Sequence, residues 1–85
     1  MNSGSAVSEK IRAFLLSSFP NDGRELLEST DLLNDWFVDS LGIIMTVVFI
    51  EKTFGLEING VDVNDENFHS IATLTQFVAK KTGQH

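Results

Sequence analysis

Apolar residues in this chain recur with a helical period near both ends. Val7, Ile11, Phe14, Leu15 and Phe19 follow one another at steps of one, three and four, which predicts a helix capped by Ser5 or Ser8 and running to about Ser18. Pro20 and the turn-forming Asn21-Asp22-Gly23 end it. Near the other end, Ser70 caps a second predicted helix that runs to about Lys81, with Ile71, Leu74, Phe77 and Val78 on one face. Lys80 and Lys81 sit at its C-terminus, where the helix dipole favours cations.

The middle of the chain is less regular. From Pro20 to Asp39 the apolar residues come as pairs, Leu26-Leu27, Leu32-Leu33 and Trp36-Phe37, among Glu25, Glu28, Asp31 and Asp35. This pattern predicts a long loop packed on the core, with room for one helical turn around Gly23–Leu27. The segment Ser40 to Phe54 contains "IIMTVVFI", whose β-branched and aromatic content suits a buried strand. Its length, Ser40 as an N-cap and Gly55 as a C-terminal glycine favour a helix. Leu56, Ile58, Val61 and Val63 flank Asn59-Gly60 and, read alone, could form a small hairpin, and Asp65–Phe68 has room for one helical turn.

An 85-residue chain predicts a single domain, 1–85, with residues 1–5 and 82–85 as flexible ends. Such a domain has a stability on the order of 5 kcal/mol. With no cysteine it relies on its apolar core, to which 42% hydrophobic residues and seven phenylalanines contribute. The net charge of −6 and the scattered basic residues argue against nucleic acid as a partner and for basic protein surfaces. The apolar run from Leu41 to Ile50 is shorter than the roughly 20 residues of a membrane helix, so membrane insertion is not expected. The start, "MNSGSAVSEK", lacks a basic segment followed by an apolar one, which predicts a cytoplasmic protein.

Asp39-Ser40 stands at the mouth of the most apolar segment. Either residue can cap a helix, and a helix N-terminus also stabilises an anion, so a phosphate ester on Ser40 is the sharper reading. A hydrolytic role for Ser40 lacks the Gly-x-Ser-x-Gly elbow, and the only histidines are His69 and His85. "DVNDEN", Asp62–Asn67, looks superficially like a calcium loop, but Asn67 and Thr73 stand where glycine and glutamate are needed. No metal site is expected.

Taken in order, the first helix, the leucine-studded loop, "VDSLGIIMTVVFIEKTFGLEI" and "ENFHSIATLTQFV" resemble an acyl carrier protein. The resemblance spans Ile11 to Val78. Its carriers are Asp39-Ser40-Leu41 as the attachment motif, Phe54–Ile58 and Asn67–Ile71. It implies an all-α four-helix bundle with a long first loop and a short third helix, and it resolves Ile43–Ile50 to helix. It also implies that Ser40 carries 4′-phosphopantetheine, flanked by Asp39 and Leu41, whose thiol holds acyl groups as thioesters. Implied partners are a phosphopantetheinyl transferase and the acyl-ligase or synthase enzymes of the pathway. The protein would be a monomeric, non-catalytic phosphoprotein of lipid, fatty-acid or polyketide-type biosynthesis. An aminoacyl carrier, peptidyl or D-alanyl, has the same fold, and an unmodified helical interaction module is an alternative from another class.

Two departures from the family pattern refine this expectation. Trp36 and Phe37 occupy places where a glycine is common; they either form a docking surface or pack inward. The helix from Ser40 holds Glu51 as its one acid, whereas carriers of general fatty-acid synthesis hold several there. Ile44, Met45, Val48 and Phe49 lie four, five, eight and nine residues after Ser40 and are expected to form an exposed apolar docking strip. This predicts a specialised pathway whose enzymes dock through apolar contacts.

Overall fold

The computed structural model describes residues 3–37 and 39–83, and all regular structure among them is helical. The elements are α1 (Ser3–Ser18), α2 (Leu32–Asp35), α3 (Ser40–Phe54), a 3₁₀ turn (Gly60–Asp62), α4 (Asp65–Phe68) and α5 (Ile71–Lys81). The expected flexibility of the ends concerns, in part, residues 1, 2, 84 and 85, which lie outside the described residues.

Helix α1 buries Ile11 and Leu15, with Val7 and Phe14 packed at their margin. It begins at Ser3, earlier than either expected cap, so Ser8 lies inside the helix and is buried. The chain leaves α1 through an Asn21 turn. The Asn21 amide donates to the Leu16 and Phe19 carbonyls, both at 3.0 Å, and Asp22 and Gly23 adopt the left-handed conformation at φ 51° and 78°.

That left-handed pair rules out the helical turn expected at Gly23–Leu27; the short helix forms later, at α2. Asp31 caps α2, its Oδ1 accepting from the Asn34 amide at 3.1 Å. The leucine pairs divide between inside and outside: Leu26 and Leu32 are buried, Leu27 is exposed and Leu33 is partly covered. Backbone bonds Ala72 N to Glu28 O (3.0 Å) and Leu32 N to His69 O (2.8 Å) tie this loop to the α4–α5 region. Arg12 ties it to α1 through the Leu26 carbonyl and through Glu28 at 3.2 Å.

The segment Ser40–Phe54 is helical throughout, as expected from its length and end signals. Gly55 ends it at φ 65° and ψ 42°, donating its N–H to the Glu51 carbonyl at 3.0 Å. After α3, Asn59-Gly60 does not turn a hairpin. Gly60–Asp62 forms a 3₁₀ turn, with the Asn59 amide donating to Asp62 Oδ2 at 3.0 Å and Lys81 pairing with the same oxygen at 3.0 Å. Val61 is left 83% exposed, so the apolar alternation that suggested a strand has no face to bury.

Asn64 caps the expected turn Asp65–Phe68, and Ser70 caps α5 in a reciprocal box with Thr73. Ile71, Leu74, Phe77 and Val78 are buried as the periodicity predicts. Helix α5 packs along α1, α4 packs on α5, and α2 packs on α4. The acids Asp31 and Asp62 are both held below the ordinary carboxylate value: Asp31 mainly by the Asn34 side chain, Asp62 mainly by the Asn59 amide and then by Lys81.

Candidate functional site

Ser40 is the first residue of α3 and is exposed. The cap is Asp39, one residue before the expected Ser40: its backbone is extended and its Oδ1 accepts from the Leu41 amide at 3.0 Å. The division of labour matters chemically. Asp39 neutralises a first-turn donor, and no hydrogen bond to a described residue holds the Ser40 hydroxyl, which is left facing solvent for reaction.

Trp36 and Phe37 precede Ser40 in the chain, and Phe37 packs against the first turn of α3 at Gly42. Trp36 is buried; its Nε1 donates to the Leu15 carbonyl at 3.2 Å, and the Arg24 guanidinium lies 4.7 Å from its ring centroid. Phe37 is also buried, against Phe19 at 5.4 Å between ring centroids. Both residues therefore pack inward, which settles the choice left open by the sequence. A Cβ at Gly42 would lie 2.9 Å from Phe37 Cδ1 and 3.1 Å from Phe19 Cε1. Gly42, two residues after Ser40, lets the first turn of α3 sit directly on two rings.

Along α3, Gly42, Thr46 and Ile50 form the buried line at four-residue spacing. The Thr46 hydroxyl donates to the Gly42 carbonyl at 2.8 Å, satisfying a buried polar group within the helix. The expected apolar strip divides on this helix. Ile44 (57% exposed) and Val48 (45%) face solvent, joined by Leu41 (57%) next to the serine. Met45 and Phe49 are half-buried and pack against the core instead, with the Phe49 ring stacked on Phe14 at 4.2 Å. The reason is angular. Residues 45 and 49 each lie one step from the buried line of 42, 46 and 50, on the side where α1 presents Phe14. Sequence spacing could show that 41, 44 and 48 share a face, but the rotation of the helix depended on Phe14.

His69 lies with its Nδ1 3.7 Å from Asp31 Oδ1, on the α2–α4 side and outside the Ser40 site. The Asp62–Asn67 segment is taken up by the 3₁₀ turn and α4, and no cluster of metal-ligating side chains occurs among the described residues. No described helix is long and apolar enough to cross a membrane.

The site is thus a surface that presents one serine at the head of a helix, on an all-helical scaffold. Comparison with known proteins agrees with this class. No family model matches the chain. It is, however, 30% identical over 76 residues to the acyl carrier protein of Onion yellows phytoplasma (strain OY-M), covering 89% of this chain and 97% of that protein. It is 23% identical over 83 residues to the acyl carrier protein of Thermotoga maritima, covering 98% of this chain and all of its relative. A third relative, the acyl carrier protein of Solidesulfovibrio magneticus, is 24% identical over 79 residues, 93% of this chain and 99% of its own. The chain belongs to the acyl carrier protein family.

Proposed function

We propose that this protein is a non-catalytic, single-domain carrier on which Ser40 bears 4′-phosphopantetheine. The observation that carries the reading is the exposed Ser40, whose hydroxyl makes no hydrogen bond to a described residue, immediately after the Asp39 cap in a chain of this family. When attached, the arm supplies a thiol that holds acyl groups as thioesters. In the transfer from coenzyme A, Ser40 Oγ loses its proton and bonds to the phosphorus bearing pantetheine, as the pyrophosphate link breaks and the nucleotide leaves. The residues present suit the resulting phosphodiester. The N-terminal end of α3 favours negative charge, and the cap keeps the helix start in place without using the serine.

Partners are a phosphopantetheinyl transferase and the acyl-loading and acyl-using enzymes of a specialised fatty-acid or polyketide-type pathway, acting in the cytoplasm on a monomer. Leu41, Ile44 and Val48 form the apolar docking surface beside the arm, with Met45 at its edge, and Glu51 is the one acid of α3. Asp39 and Leu41 flank the modified residue. The test is intact mass after incubation with coenzyme A and a broad-specificity transferase. One added phosphopantetheine, absent in Ser40→Ala, supports the reading; an unchanged mass with several transferases removes it.

A further inference from the structure

Five of the seven phenylalanines form one continuous line of ring contacts. Phe37 meets Phe19 at 5.4 Å, Phe19 meets Phe14 edge-on at 5.9 Å, Phe14 stacks on Phe49 at 4.2 Å, and Phe49 meets Phe54 edge-on at 6.1 Å. The line starts beneath the first turn of α3, where Phe37 and Phe19 already take the space that a Cβ on Gly42 would need. It ends at Phe54, the last residue of α3. The seam between α1 and α3 is therefore filled with aromatic rings from the Ser40 end to the far end.

Several further core positions are closed as well. Ile50, Phe68, Ile71 and Leu74 are each no more than 1% exposed. Three surface hollows lie elsewhere, one in the loop between Arg24 and Trp36 and two beside α4 and α5, and none of the three is lined by a residue of α3.

An alkyl chain tethered to Ser40 escapes water only by entering the protein or lying on apolar surface. To enter between α1 and α3 it would have to part contacting rings, Phe14 and Phe49 stacked among them, that lose their dispersion contacts as they separate. Close-packed interiors resist such insertion, and phenylalanine, with two side-chain torsions, reshapes less readily than methionine would. On the carrier reading above, we propose that the phenylalanine line keeps the cargo outside the bundle, and that the thioesters this protein carries are acyl groups short or polar enough to remain in water. Pathway enzymes then meet the acyl group directly and need not extract it from the carrier.

The experiment loads the unmodified protein from acetyl-, hexanoyl- and dodecanoyl-coenzyme A with a transferase, verifies each product by intact mass, and measures thermal midpoints and amide exchange in α3. The expected result is a common midpoint and common α3 protection for all three forms. In Phe49→Ala, which opens the stack from α3, the midpoint should instead climb with chain length. Phe14→Ala opens the same stack from α1 and serves if the first variant does not fold. A wild-type midpoint that rises with chain length overturns the inference while leaving the carrier reading intact, as does a flat series in the truncated variants. Failure of every donor to load Ser40 removes the carrier reading, and this inference with it.

Discussion

The indole Nε1 of Trp36 donates to the main-chain carbonyl of Leu15 across 3.2 Å, joining the segment just before Ser40 to the last turn of α1. The last four carbonyls of a helix have no partner within it. Trp36 satisfies the one at Leu15 and Asn21 satisfies the one at Leu16, so side chains from the following loop finish α1. The position of Ser40 is thereby referred to α1 through a buried hydrogen bond.

Trp36→Phe keeps a ring in the pocket but leaves the Leu15 carbonyl without its donor. The expected loss is about 1–3 kcal/mol, with the weakened Arg24 contact included in that range. Urea unfolding checks this: a midpoint equal to wild type would mean that the hydrogen bond contributes nothing.

Gly42→Ala sets helix propensity against packing. Alanine is favoured over glycine inside a helix by about 1 kcal/mol. Its methyl would approach Phe37 to 2.9 Å and Phe19 to 3.1 Å, and Phe37 Cβ, also at 3.1 Å, sits close to the main chain and cannot swing aside. Overpacking of roughly 1–3 kcal/mol should win, giving a net destabilised protein. A variant that melts higher than wild type would show that the rings yield.

Asp39 and Ser40 should separate in their effects. Ser40→Ala is expected to lose modification and keep its stability, because the serine does not cap α3. Asp39→Ala should cost about 1 kcal/mol, since the acceptor for the Leu41 amide is lost. Paired melting curves and mass spectra test this, and equal destabilisation by the two changes would assign the cap to both residues.

Acid should weaken the protein through Asp62 and Asp31. Their carboxyls are held below the ordinary value of 3.8, so the unfolded chain takes up protons first as the pH falls. The stability they contribute is complete above pH 3.8 and is lost as the pH drops through their lower folded values. Asp62→Asn should therefore flatten the fall in urea midpoint across this acid range. An unchanged slope would show that the Asn59 and Lys81 contacts do not persist in solution.

For the docking surface, Ile44→Glu and Val48→Glu should leave the fold intact, as both side chains face solvent. Each should raise KM for a phosphopantetheinyl transferase by about tenfold, equivalent to about 1.4 kcal/mol of lost apolar contact. Phe49→Glu should instead lower the melting temperature, because it places a charge in the Phe14 stack. Unaltered KM in both surface variants would exclude this face from transferase binding.

Local chemistry was enough to determine where α3 and α5 begin and end. Asp39, Gly55 and Ser70 act on backbone groups within a few residues of themselves, so their roles are written in short-range order. The stripe of α5 was legible for a similar reason: its apolar side occupies one narrow arc, leaving one way to bury it. The order of motifs around Asp39-Ser40-Leu41 also sufficed to indicate the family. What the tertiary structure alone decided was orientation. Helix α3 is apolar on every side, so no period selects its inner face; Phe14, Phe19 and Phe37, brought in from α1 and the loop, select it. The long loop was equally open, since each leucine pair offers two candidates for one core position, and only the ties to Arg12, His69 and Ala72 choose Leu26 and Leu32.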